Sequence, residues 1–383
     1  MEEPKEPTVN KHKLSIIKNL VNQQLGVRAN SSILSYHTTL NALKNLKPTK
    51  ALENSPTVLN KQISEIQFNN KGNLLANVYW GNDSVQIWDW KRSKMQAFFS
   101  SGHNFTVRQV NWVPADNENL LVTSGQYGDV RLMDLTTNKS RLLENSYFED
   151  EEFFCGGFKF CVTQNLPYTV LAGSQKGKVV HIDIREEKPT ELIFAKNENS
   201  TFYEICSIDL NPVKCFEFCI GSYKDIRIYD CRNLANPVQK LITKEGKSIF
   251  QNDSRRILNV KYTYNGTEIL AAYAEDPIFL FHTLRPYPIK SYITTRQERD
   301  QYSFTMYNVN YIGTRSEFIV ASSSMHSTLA GCSHRNNVYI WDKDSEELVH
   351  EIKLEERSWR FAAHPYMPML AMNLDHNGIR LWQ

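Results

Sequence analysis

The chain has 383 residues, 41% hydrophobic and 22% charged, a balance that excludes a disordered or fibrous polypeptide and permits a closed all-β unit of this length. Lys plus Arg number 44 and Asp plus Glu 42, so the net charge of +2 sets up no global field, and neither nucleic acid nor a membrane is expected as a partner. Seven cysteines, at 155, 161, 206, 215, 219, 231 and 332, form no C-x-x-C pair, which suits reduced thiols in a cytoplasmic or nuclear protein better than a disulfide framework.

The N-terminal "MEEPKEPTVNKHK" is charged and leads into no apolar run long enough for a signal peptide or a membrane span. In "HKLSIIKNLVNQQLGVR" (12–28), Leu14, Ile17 and Val21, joined by Ile16 and Leu20 and ending at Gln24, form a stripe at helical spacing with Gly26 as its stop. A helix is expected there. Residues 1–32 are read as a tail carrying this helix, and residues 33–383 as one repeat domain.

The repeat is carried by "SVQIWDW", "DVRLMDL", "KVVHIDI", "DIRIYDC", "PIFLFHT", "NVYIWDK" and "GIRLWQ". Their aligned positions, Trp88, Met133, Ile182, Tyr229, Phe281, Trp341 and Trp382, lie 41 to 60 residues apart, the WD-repeat period or slightly more. A second alternating run such as "NLLANVYW" precedes each, a third such as "ISEIQF" lies further upstream, and a fourth such as "MQAFFS" comes after. Four strands per repeat make a propeller blade, and a blade cannot bury both faces alone, so the seven stack about an axis. The expected fold is an all-β, seven-bladed WD-repeat β-propeller with a short N-terminal helical extension. The last repeat lacks a fourth strand. The segment "TTLNALKNLKPTKAL", within 33–60, is the expected source, closing the ring and covering an open sheet edge.

The large apolar residue before each repeat-ending Asp is expected to lie between blades, and His103, His364 and His376 to serve as structural hydrogen-bonding groups. No phosphate-cradling loop, nucleophile elbow or zinc-binding cluster is present, so neither catalysis, a cofactor nor a metal is expected. Cys215 and Cys219 read as one face of a strand, about 13 Å apart and too far to share a metal. A binding platform remains.

Two consecutive repeats end in Asp-x-Arg: Asp183 and Arg185 in "VVHIDIREEKP", and Asp230 and Arg232 in "IRIYDCRNLANP". The second repeat has Asp134-Leu135-Thr136 instead, and the sixth Asp342-Lys343-Asp344. Each Arg enters the loop from third to fourth strand, so adjacent blades present the two side by side on one face. Planar guanidinium groups oriented by their Asp suit bidentate capture of carboxylates or carbonyls on a protein partner.

Adjacent repeats of this kind resemble the DWD box of the WD-repeat substrate receptors of the cullin-4 ubiquitin ligase, most closely the group named cullin-4 associated factor 8. The resemblance runs over nearly the whole chain. It is carried by "VQIWDW", "SGH" at 101–103, "GDVRL", "HIDIREEKP", "IRIYDCR", "NGTEILAAYAEDPIFLF", "SEFIVASS" and "LDHNGIRLW". It implies a non-catalytic subunit that docks on the ligase adaptor, damage-specific DNA-binding protein 1, and presents proteins for ubiquitination by proximity. Arg185 and Arg232, with Asp183 and Asp230 beside them, would meet the adaptor. The helix over 12–28 would insert into it through Leu14, Ile17, Leu20 and Val21, with Leu14 standing where the family pattern has a Trp. The alternative is a WD-repeat scaffold protein of an unrelated multiprotein complex.

The long loops, 144–157, 243–256, 294–304 and 322–336, belong to the opposite face, where a rigid scaffold usually carries its specificity. Glu149, Asp150 and Glu151 form an acidic run there; Arg255, Arg256, Arg296, Arg299 and His326 are the further candidates for reading a substrate.

Overall fold

The computed structural model describes residues 32–53, 61–114, 119–145, 158–197, 202–223, 225–243, 256–274, 277–293, 304–325, 336–354, 360–374 and 378–383. Helix α1 (Ser32–Lys44) and strand β1 (Pro48–Leu52) come first. Blade 1 is β2 (Ile63–Phe68), β3 (Leu74–Tyr79), β4 (Ser84–Asp89) and β5 (Lys94–Ser100). Blade 2 is β6 (Val107–Trp112), β7 (Leu120–Gly125), β8 (Asp129–Asp134) and β9 (Lys139–Asn145). Blade 3 is β10 (Lys159–Thr163), β11 (Leu166–Gly173), β12 (Lys178–Asp183) and β13 (Thr190–Phe194). Blade 4 is β14 (Ser207–Leu210), β15 (Glu217–Gly221), β16 (Asp225–Asp230) and β17 (Gln239–Ile242). Blade 5 is β18 (Ile257–Tyr262), β19 (Glu268–Tyr273), β20 (Ile278–His282) and β21 (Pro288–Tyr292). Blade 6 is β22 (Phe304–Ile312), β23 (Phe318–Met325), β24 (Asn336–Asp342) and β25 (Leu348–Leu354). Blade 7 is β26 (Phe361–Ala363), β27 (Leu370–Leu374) and β28 (Gly378–Trp382), with β1 as its outer strand.

Burial explains why these sequences read as they do. Second strands, covered on both faces by the neighbouring blades, are buried almost throughout, as in "LLVTSG" of β7; the exposed outer strand β5 alternates strictly. The apolar residues gather in seven clusters, each spanning two neighbouring blades. Leu75 and Trp90 of blade 1 meet Met369 and Leu381 of blade 7 in one of them, and Val170 of blade 3 meets Val122 of blade 2 in another. Six of the seven aligned repeat residues are buried: Trp88, Met133, Ile182, Tyr229, Phe281 and Trp341. Trp382, beside the chain end, is half-buried.

The ring closes through β1, which runs antiparallel to β28 with Lys50 opposite Leu381 and Leu52 opposite Ile379. Only the end of "TTLNALKNLKPTKAL" is extended; Thr38 to Lys44 belong to α1. Tyr36, Leu40 and Leu43, spaced for one helical face, pack with Leu46 on the cluster between blades 6 and 7. Strands β9, β10 and β13 carry no clean alternation: in β13 no residue is fully buried, and β9 buries only Leu143 and Glu144. Cys215 is not in a strand. It sits exposed in the turn before β15, while Cys219 is buried within it, so the two share no strand face.

Both described histidines of the repeat motifs are structural. His103 bonds Asp129 through Nδ1 at 2.5 Å and Thr123 Oγ1 through Nε2 at 2.8 Å. His364 Nε2 donates to Gly72 O at 2.8 Å, and its Nδ1 accepts from the Tyr366 and Met367 amides. That assigns His364 the neutral Nε2–H tautomer, and burial pushes its pKa below the usual imidazole value. Gly72 has φ +69°, and a Cβ there would meet His364 Nε2 at 2.4 Å. Gly72→Ala is therefore expected to lower stability by about 1–3 kcal/mol in urea unfolding, through the left-handed backbone and the displaced His364 together. His376 lies outside the described residues. Among those described, no helix is long and apolar enough to cross a membrane.

Candidate protein-docking site

Strands alternate in direction, so the ends of all first and third strands lie on one face of the ring and the starts of the first strands on the other. On the first of these faces the third strands of blades 2 to 6 each end in a tight turn held by the last side chain. The +2 amide donates to Asp134, Asp183, Asp230 and Asp342 at 2.8 or 2.9 Å, and in blade 5 His282 Nδ1 takes the place of the Asp. The Asp is thus repeat scaffold, an Asx-type turn. The residues after it differ between blades.

In blade 3, Arg185 Nε donates to Asp183 Oδ1 at 2.9 Å and Nη2 to Oδ2 at 2.6 Å, a two-pronged pair. In blade 4, Arg232 does the same to Asp230 at 3.0 and 2.6 Å. Each guanidinium also lies over an aromatic ring of its own blade, Arg185 at 4.5 Å from Tyr168 and Arg232 at 3.7 Å from Phe216. The register accounts for this. Tyr168 immediately precedes Thr169, the partner of Asp183, and Phe216 immediately precedes Glu217, the partner of Asp230. The corresponding residues in blades 1, 2, 5 and 6 are Asn73, Asn119, Thr267 and Glu317. The aromatic seats coincide with the two arginines.

Held on an edge and a face, both arginines still have side chains 64% and 67% exposed, and neither Nη1 has a hydrogen-bond partner among the described residues. An always-charged donor fork in fixed orientation can bind a carboxylate or a row of carbonyls; it supplies no nucleophile and no base. Arg141 of β9 braces the blade 3 loop from the neighbouring blade, its Nη1 donating to Glu186 O at 3.2 Å and its Nη2 to Ile184 O. Neither this brace nor the aromatic seats was found from sequence, although Tyr168 and Phe216 share one offset from their Asp. Blade 1 carries a related pair one residue later, Arg92 with Asp89 at 3.1 Å.

Helix α1 occupies the equivalent position in blade 6. Tyr36 Oη donates to Asp342 Oδ2, and its ring stacks on Phe318 at 5.3 Å. Residues 1–31 therefore join the described chain at a helix lying on the same face as Arg185 and Arg232. Leu14, Ile17, Leu20 and Val21 lie outside the described residues, as do Glu149, Asp150, Glu151, Arg255, Arg296, Arg299 and His326. Arg256 is described. It stands just before β18 on the opposite face, bound to Glu204 Oε1 at 3.0 Å and to Cys206 Sγ at 3.1 Å.

The arginine fork holds the Asp183 carboxyl down to about 2, helped by the Arg185 amide, and Arg232 does the same for Asp230. Both pKa values are depressed in the fold, so the stability they contribute is present above the ordinary carboxylate value of about 3.9 and is lost as pH falls through about 2. Carboxyl NMR titration is expected to give midpoints near 2 for both, and Arg185→Ala to return Asp183 alone toward about 3.9.

No protein-family profile matches the chain. Among solved structures it is similar to the β-propeller domain of Cps50 (Swd1) from Myceliophteria thermophila, with a TM-score of 0.63 over 88% of this chain and 99% of that one, at 16% sequence identity. At that identity the likeness shows the fold alone, a β-propeller.

Proposed function

We propose that the chain is a non-catalytic substrate receptor of the cullin-4 ubiquitin ligase. The face bearing Arg185 and Arg232 docks on the ligase adaptor, damage-specific DNA-binding protein 1, and the opposite face presents a target protein. The observation that carries this reading is the built pair of arginines, each clamped by its Asp and seated on an aromatic ring, on adjacent blades and nowhere else among the described repeats. Such preorganisation lowers the entropy lost on docking. The resemblance in the repeat sequences gives the partner its identity.

Size-exclusion chromatography of the purified chain with purified adaptor tests the reading. Co-elution as one complex is expected at micromolar concentration. Separate elution of two folded proteins would end it and would favour a scaffold role in an unrelated assembly.

A further inference from the structure

The seven inner strands leave a cavity of about 140 Å³ on the ring axis, and every one of them contributes to its lining. One charge pair of the lining is internally satisfied, Lys261 Nζ with Asp209 Oδ1 at 3.3 Å, and beyond the lining Arg256 meets Glu204 at 3.0 Å. Among the described residues three cations are not so paired: Arg108, second in β6; Lys159, first in β10; and Arg360, immediately before β26. All three stand where inner strands begin, hence at the mouth on the face opposite Arg185 and Arg232. Glu65 of β2 is the carboxylate beside Lys159 and Arg360, yet among the described residues it forms no ion pair with either.

Geometry and electrostatics agree that the described residues of this mouth carry an excess of positive charge. A β-bulge between Val107 and Gln109 leaves Arg108 outside the ladder, and bulges re-aim side chains. Its guanidinium lies over Trp80 at 4.1 Å, and its buried Nε has no hydrogen-bond partner among the described residues. Burial, then Arg360, pushes the Lys159 pKa down to about 8, with Arg108 adding to the effect. Among the described residues, three half-buried cations stand against one carboxylate and form a positive well. Around it the same face exposes the rings of Trp80, Phe105, Tyr127 and Tyr223. Aromatic surface of this kind grips polypeptide at little entropic cost.

We propose that this channel mouth is an anion-binding site that receives one phosphate or carboxylate group borne on a side chain of a protein target. The site is a single axial well and not an extended basic stripe, which fits one anionic side chain with flanking peptide on the aromatic rim. The proposal deepens the receptor reading, on which its biological meaning rests, by naming the substrate class.

The test uses peptide arrays with randomised flanks and a fixed central phosphoserine, glutamate or serine, probed with the full chain. Capture of the phosphoserine or glutamate arrays at least tenfold above serine is expected, and comparison of the two anionic arrays tells which group the well prefers. Lys159→Gln with Arg360→Gln should abolish that selectivity, whereas Glu65→Gln, which removes the one opposing charge, should strengthen capture severalfold. Equal capture of all three arrays would overturn the proposal, as would weakened capture by Glu65→Gln. Adaptor co-elution measured on the same proteins separates the two readings. Lost peptide selectivity with retained adaptor in the double variant assigns the effect to the well, and wild-type selectivity without adaptor would remove the receptor reading alone.

Discussion

Arg185→Ala combined with Arg232→Ala is expected to weaken adaptor binding by at least about 1,000-fold, and either single substitution by at least about 30-fold, because truncating a desolvated charged anchor costs roughly 2–5 kcal/mol. The fold should survive, because both side chains are exposed and water screens most of what their pairs contribute to stability. Arg185→Lys should fail to rescue, since a lysine cannot hold the two-pronged geometry that Asp183 imposes. Asp183→Asn should leave the charge in place but loosen its orientation, giving a smaller, severalfold loss. Surface plasmon resonance on immobilised adaptor reads all five; a double variant that binds like the parent would exclude this face as the dock.

The second large effect concerns ring closure. Leu52 is buried in the cluster that joins blade 7 to blade 1, and it is the last residue of the strand that completes blade 7. Leu52→Asp sets an unpaired carboxylate among Ile63, Ile379 and Leu381 and should cost about 4 kcal/mol or more. Because β1 is the described strand that covers the outer edge of β28, the exposed edge should also promote association between chains. Ala51→Thr, at an exposed position of the same strand, should change stability by less than about 0.5 kcal/mol. Urea unfolding with light scattering separates the outcomes. A Leu52→Asp protein as stable and monomeric as the parent would mean that the ring is not held shut at β1.

The propeller was legible because its strongest signal is local. Second and third strands must be apolar on the faces that meet neighbouring blades, so "NLLVTSG" and "SVQIWDW" announce themselves. Outer strands such as β13 have one edge in solvent and little to bury, and nothing in "TELIF" forces alternation. The closing strand was located by the need for a fourth strand, but the helix before it was hidden. Among its described side chains, Tyr36, Leu40 and Leu43 form the packed apolar face, and the Tyr36 bond to Asp342 spans 306 residues of sequence. The candidate site divides in the same way. Asp-x-Arg is contiguous and readable, whereas the ring beneath each guanidinium comes from the paired strand and needs the register. Arg108 of the channel mouth looked like any strand-edge arginine. Only the bulge and the six other inner strands reveal what surrounds it.

The most direct test of the receptor assignment is affinity purification from cells treated with a proteasome inhibitor, comparing the parent chain with the Arg185→Ala, Arg232→Ala double variant. The parent is expected to retain the adaptor and cullin-4, and the double variant to lose both while keeping its other bound proteins through the intact opposite face. Recovery of the adaptor with both chains alike, or with neither, would contradict the assignment.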